Sequence, residues 1–367
     1  MVKKRLRLRT PFRIFLSVIA IILIVTLYFP VRSIINLTRL NYSFFSSVEI
    51  YKLDLTDKVL EYDYSEVIDK TISSEDFIID RLDTYVKLEY YERDNFLRNV
   101  NNLIDLRYSI DDINLINKNV SDDFMQVLLN EFVYDIKKYL VVEYFKEENF
   151  DRYKAYFNGN YEKTVLYVNI GLDKEYYEDT NVNDNYSVTM IVNKYNGVTK
   201  DFVPPDLTQI SSDCSNDPDN YLTREAADAF EKMCLAAKNE GYGILANSTY
   251  RTYENQQKTW DKYLNLYGQS YNDRYVTLPG YSEHQTGLAV DVKSTSANVF
   301  KNSKEYTWML ENSYKYGFVH RYKESKVSIT GISSEAWHFR YVGVDVATYM
   351  YENNLCFEEY YAMFLDK

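Results

Sequence analysis

The chain has 367 residues, room for two or three domains, and its 46% apolar and 26% charged side chains with only 11 glycines and 6 prolines exclude a disordered or fibrous protein. With 54 acidic against 42 basic side chains the net charge is -12, which argues against a nucleic-acid backbone as partner.

That charge is unevenly spread, because residues 1–39 contain Lys3, Lys4, Arg5, Arg7, Arg9, Arg13, Arg32 and Arg39 and no acid. Between Arg13 and Arg32 lie 18 uncharged, mostly apolar residues, 14–31, just enough to cross a bilayer core. A basic flank ahead of such a run predicts a cytoplasmic tail at 1–13, a single anchor at 14–31 and an exported remainder. No small-residue cleavage site follows the run, so an uncleaved anchor is expected rather than a signal peptide.

Residues 40–160 read as helical, with periodic acidic and aromatic stretches and almost no glycine or proline. Two segments resemble each other: S-E-D-F at 74–77 matches S-D-D-F at 121–124, and Y-Y-E-R-D-N-F-L-R from Tyr90 matches Y-F-K-E-E-N-F-D-R from Tyr144, at offsets of 47 (74 to 121) and 54 (90 to 144). Such a repeat predicts stacked helical hairpins serving as a spacer or a docking region, with its partner left open. No catalytic constellation occurs there.

From Tyr161 the pattern changes to β-branched runs at 164–170 and 187–193, read as strands, followed by Pro204 and Pro205. Thr223 then opens a helix that Gly241 closes. A strand at 244–248, a helix from Glu254 to about Leu266 and strands near Phe318 and Trp337 complete an α+β unit, placed at 187–367. Of the three cysteines, Cys234 falls in the amphipathic helix and reads as a small buried hydrophobe, with a disulfide to Cys214 left open.

All three histidines follow residue 280. His284 stands in S-E-H-Q-T-G-L-A-V-D, seven residues ahead of Asp291 (284 to 291), and His338 stands in S-E-A-W-H-F-R-Y. Two imidazoles and a carboxylate are a usual ligand set for hydrolytic zinc, which keeps one position open for water. Glu335, three residues before His338, is placed to accept a proton and return it to a leaving amine.

These residues also carry a resemblance. The segment from Ser282 to Asp291 is similar to the S-x-H-x-x-G-x-A-x-D signature of the VanY-type zinc D-alanyl-D-alanine carboxypeptidases, with Ser282, His284, Gly287, Ala289 and Asp291 at its defining positions. E-A-W-H resembles that family's E-x-W-H, and S-T-Y-R-T-Y-E-N-Q, from Ser248 to Gln256, is similar to its S-x-Y-R-S-x-x-x-Q. The resemblance spans roughly residues 187–360. It implies the fold of the small α+β zinc D-Ala-D-Ala peptidases, zinc on His284, Asp291 and His338, and Glu335 as catalytic base. It also implies Arg251 as the arginine facing the substrate, with Ser248, Gln256 and Ser282 on the substrate side.

The implied substrate is a peptidoglycan stem peptide. An L,D-carboxypeptidase or endopeptidase of the same fold, or a tethered wall-binding protein with a vestigial enzyme, are the alternatives. Two departures stand out: Ala336 where the family often has proline, and His320 where it has an aliphatic residue. His320 is read as a strand residue outside the ligand set, and Trp337 as packing beneath the site.

Overall fold

The computed structural model describes residues 10–177 and 181–366, which divide into two units, Met1–Val141 and Val142–Lys367. The basic residues Lys3, Lys4, Arg5, Arg7 and Arg9 lie outside the described residues. Helix α1, Thr10–Arg39, runs beyond the uncharged stretch at both ends. Within its segment Phe12–Arg39 an 18-residue window has a mean hydropathy of 2.8 and no buried residue, so the helix is long and apolar enough to cross a membrane.

The rest of the first unit is built of short helices, and no strand occurs among its described residues. Serine starts several of them: the hydroxyls of Ser43, Ser65, Ser109 and Ser121 each accept the backbone N–H three residues on, satisfying a donor that the first turn leaves free.

The expected repeat offsets of 47 and 54 are not those of the structure. Ser121 caps a helix, whereas Ser74 lies in a turn. The equivalent residues are instead 68 apart (85 to 153, 101 to 169). Tyr85 Oη donates to Asn101 Oδ1 at 2.6 Å, and Asn101 Nδ2 donates to Asp76 O at 2.7 Å. Tyr153 Oη likewise donates to Asn169 Oδ1 at 2.6 Å, and Asn169 Nδ2 to Tyr144 O at 2.8 Å. Each tyrosine also accepts a backbone N–H seven residues earlier, from Ile78 and Lys146. Sequence similarity over a few acidic and aromatic residues misses this period, because what repeats is a hydrogen-bonded tyrosine and asparagine.

The second unit opens with a correction. Residues 164–170, read as a strand, belong to helix α2, Tyr161–Ile170. Asn160 accepts the Lys163 N–H at its start, and Gly171, at φ +98°, closes it. Burial of Thr164, Val165 and Val168 follows a helical stripe, so tertiary packing overrides the β preference of the run. Residues 187–193 form no strand either; the carbonyls of Val188 and Met190 are taken by the Arg340 guanidinium, and the Asn193 side chain caps Tyr195 and Asn196.

The central sheet contains β1 (Ile244–Ser248), β2 (Ala289–Ser294), β3 (Phe318–Tyr322) and β4 (Glu335–Tyr341), all antiparallel, in the order β1-β2-β4-β3. Helix α3, Arg224–Asn239, lies where Thr223 and Gly241 predict it. Its Ala226, Phe230, Met233 and Ala237 pack with Ile244, Val290, Val292, Phe318 and Phe339 of the sheet in one buried cluster. Cys214 and Cys234 are disulfide-bonded, so Cys234 is more than a small hydrophobe, and Cys356 is a buried free thiol. The expected helix after Arg251 is α4, Tyr253–Tyr267, and α5, Gln269–Tyr275, follows it.

Candidate metal centre and its cleft

The two middle strands bring the predicted residues together. Asp291 on β2 is the direct register partner of His338 on β4. His284 comes from a tight turn, Glu283–Thr286, that Gly287 ends in the left-handed region at φ +66°. A Cβ at Gly287 would meet Pro204, Leu207 and Thr223 at 3.1–3.2 Å, so backbone conformation and close approach both call for glycine.

Glu335 reaches the same cleft through an irregularity. On β3, His320 and Tyr322 are two residues apart, yet their partners Phe339 and Glu335 are four apart, so β4 bulges between them. In a regular strand, residues three apart point to opposite faces. The bulge re-aims them, and Glu335, Trp337 and His338 all line one cleft.

The donor atoms of His284, Asp291 and His338 lie within 4.8 Å of one another. His284 Nε2 is 3.4 Å from Asp291 Oδ2, and His338 Nδ1 is 3.0 Å from Asp291 Oδ1. Each imidazole is held from behind: His284 Nδ1 lies 2.7 Å from Thr249 O, which can only accept, so Nδ1 carries the proton and Nε2 turns its lone pair inward. His338 Nε2 lies 3.2 Å from Glu283 Oε2, leaving Nδ1 for the cleft. Two histidines oriented in this way by a carbonyl and a carboxylate are the arrangement that suits a metal.

Electrostatics point the same way. Burial would lower the His338 pKa, but the hydrogen bonds to Asp291 and Glu283 raise it to about 9. The proton on Nδ1 marks the place where a cation is favoured, and metal binding would displace it. Asp291 is held well below the usual carboxylate range: burial opposes this, and His284 and His338 outweigh it. Burial pushes the Glu335 carboxyl up to about 8, with His338 opposing and Asp291 adding to the rise. Glu335 Oε2 stands 3.9 Å from His338 Nδ1.

The cleft has a volume of about 320 Å³ and is walled by Tyr263, Tyr271 and Tyr275 from α4 and α5. Trp337 is 40% exposed on its wall, which corrects the expectation that it packs beneath the site. Arg251, Gln256 and Ser282 line the cleft; Ser248 does not. Ser248 and Gln256 hold the arginine instead: Arg251 Nη1 donates to Gln256 Oε1 at 2.6 Å and Nη2 to Ser248 Oγ at 3.0 Å. Gln256 Nε2 in turn donates to Thr277 O at 2.8 Å. His320 is a strand residue, as expected.

Sequence reasoning passed over a buried ionic chain behind His338. Glu283 Oε1 accepts from Arg321 Nε at 2.8 Å and from Arg340 Nη1 at 3.2 Å, while Arg321 forms a bidentate pair with Glu358 at 2.8 and 2.6 Å. All four side chains are essentially unexposed. Glu283 sits beside His284 in the motif, Arg340 stands between Phe339 and Tyr341, and Arg321 lies between His320 and Tyr322. A charged residue inside an otherwise apolar or aromatic strand was the available signal.

An α+β unit that gathers two imidazoles, a carboxylate, a second buried carboxyl and an arginine in one cleft defines a metal-dependent hydrolase. The family model described as VanY, D-alanyl-D-alanine carboxypeptidase, matches residues 219–344. The chain is 36% identical over 205 residues to the YodJ protein of Bacillus subtilis (strain 168), covering 52% of this chain and 75% of that one. It is also 35% identical over 178 residues to the bifunctional D-Ala-D-Ala dipeptidase and carboxypeptidase VanXYC of Enterococcus gallinarum, covering 47% and 92%. A solved VanY D,D-pentapeptidase from a VanB-type resistance cassette, in complex with Zn(II), is 34% identical, with a TM-score of 0.43 over 47% of this chain and 98% of that one. The chain belongs to the VanY-type D-alanyl-D-alanine carboxypeptidase family, whose members are zinc-dependent peptidases.

Proposed function

We propose that the protein is a membrane-anchored, extracytoplasmic zinc D,D-carboxypeptidase that removes the terminal D-alanine from peptidoglycan stem peptides. The observation that carries this reading is the convergence of His284, Asp291 and His338 donor atoms within 4.8 Å, in a cleft that also presents Glu335 and Arg251. His284, Asp291 and His338 would hold zinc, which would supply a Lewis acid for the scissile carbonyl and a water made acidic near neutral pH.

The side chains supply the rest. Arg251, pre-oriented by Gln256 and Ser248, pairs its planar fork with the substrate's terminal carboxylate. Ser248 and Gln256 therefore act on substrate through Arg251. Ser282 stands on the cleft wall. Glu335 takes the proton of the attacking water and returns it to the leaving amine, a role suited to a carboxyl whose affinity for protons burial has raised. Residues 40–160 are assigned as the spacer or docking region between anchor and enzyme in the chain.

The basic flank of α1 supports a cytoplasmic N-terminus. A reporter fused after Lys367 that works only in the cytoplasm would overturn that orientation. For the activity, the full chain is incubated with defined tri-, tetra- and pentapeptide stems, with and without chelator. Chelator-sensitive release of one D-alanine from the pentapeptide is expected. Cleavage of the tetrapeptide instead makes it an L,D-carboxypeptidase, internal cleavage an endopeptidase, and no cleavage a tethered wall-binding protein.

A further inference from the structure

Ala336 and His320 both stand at the bulge that places Glu335. A bulge interrupts the cross-strand ladder, and Ala336 has no register partner on either neighbouring strand. Glu335 is the residue where β4 rejoins β3, opposite Tyr322. The side chain of His320 reaches across at this point, and its Nε2 lies 3.1 Å from the Glu335 carbonyl oxygen. A carbonyl only accepts, so Nε2 is the donor.

The imidazole is itself fixed. Its ring meets Tyr306 edge-on, with centroids 5.6 Å apart, and lies against Phe339 at 5.4 Å. Burial pushes the His320 pKa down to about 4, so at neutral pH the ring is uncharged and packs among these apolar neighbours without a counter-ion. It is not one of the three residues whose donor atoms converge in the cleft.

We propose that His320 is a positioning residue for Glu335: by tying the Glu335 carbonyl to β3 across the bulge, it supplies a backbone restraint that alanine at 336 does not. The inference rests on the reading of Glu335 as the group that moves the proton. A proline at 336 would impose a comparable restraint covalently, fixing its own φ and confining residue 335 to the extended region that it already occupies in β4. Loss of both restraints lets the carboxylate drift, and proton transfer falls off steeply with misplacement.

The test compares the zinc-loaded full chain with His320→Leu, His320→Gln, the pair His320→Leu/Ala336→Pro, and Glu335→Gln as reference, on a pentapeptide stem ending in D-Ala-D-Ala. Zinc stoichiometry and thermal unfolding are measured on each. His320→Leu is expected to lose kcat by about three- to tenfold, the scale of one neutral hydrogen bond, with KM changed less than about twofold and zinc retained. His320→Gln, which keeps a donor, and the proline pair are expected to recover most of that loss. Parental kcat in His320→Leu overturns the proposal. So does a loss that tracks zinc content or melting temperature and that neither rescue variant relieves. Parental turnover in Glu335→Gln overturns the assignment of Glu335, whatever the His320 variants do.

Discussion

Replacing Glu283 by glutamine removes one charge from the buried chain behind His338 while keeping the shape of the side chain. In the parent, the carboxylates of Glu283 and Glu358 balance the guanidiniums of Arg321 and Arg340, and all four groups are essentially unexposed. The amide leaves one guanidinium without its counter-charge, a change that costs about 3–5 kcal/mol when a buried pair is broken from one side. Its hydrogen bonding also conflicts with its surroundings. Glu283 accepts from Arg321 Nε at 2.8 Å, Arg340 Nη1 at 3.2 Å and His338 Nε2 at 3.2 Å, whereas glutamine has one acceptor oxygen. If the oxygen stays with the arginines, the NH₂ faces His338 Nε2, and the imidazole must move its proton to Nδ1. That nitrogen then has no lone pair for a metal.

Glu283→Gln is therefore expected to lower zinc affinity by about 10- to 100-fold, the usual scale for the partner behind a ligating histidine, and to destabilise the fold at the same time. Competition against a graded chelator measures the first, and denaturant unfolding of the metal-free chain measures the second. Parental zinc affinity would refute the assignment of His338 Nδ1 as the inward-facing nitrogen. Parental stability would show that the ionic chain is not balanced as described.

Three further outcomes are expected. Glu335→Ala retains stoichiometric zinc and loses turnover by about two to four orders of magnitude, which metal analysis and stem-peptide kinetics check together. Amidating the substrate's C-terminus and Arg251→Lys each reduce kcat/KM by about tenfold or more, and the combination is non-additive because both remove one charge-assisted pair; an amidated peptide cut as fast as the free acid would favour an endopeptidase. His320 contributes a pH dependence whose sign follows from its lowered pKa. Burial, with Lys323 and His338 adding to it, holds the imidazole neutral down to about 4, whereas in the unfolded chain it protonates near the ordinary 6.5. Between those values the unfolded state binds more protons, so stability is lost as pH falls from about 6.5 to 4, by about 3 kcal/mol at most. Comparing unfolding of the parent and His320→Leu across that window checks it, and identical slopes would count against a buried neutral His320.

How much of this was legible beforehand differs by element. His284, Asp291, Glu335, His338 and Arg251, which line one cleft, could be singled out as candidates because few residue types can bind a metal, move a proton or grip a carboxylate, and the motif spacings survive as text. Helix α3 and strand β1 were readable because caps, glycines and hydrophobic period are local signals. The β-branched run in α2 was misread because its faces are chosen by what they pack against. The repeat period, the exposed Trp337 and the Cys214–Cys234 bond likewise needed the chain's path in space.

Glu283, Arg321, Arg340 and Glu358 show the limit most directly. They are 75 residues apart along the chain (283 to 358) and, as charged residues, each reads as surface. Only the folded sheet, by removing water from all four at once, turns them into partners behind His338. What the sequence alone determined was the class of enzyme and the candidate residues for its chemistry. Which face each residue takes, which nitrogen turns inward and how Glu335 comes to line the cleft were decided by a strand bulge and by contacts between distant segments, because those depend on distance in space.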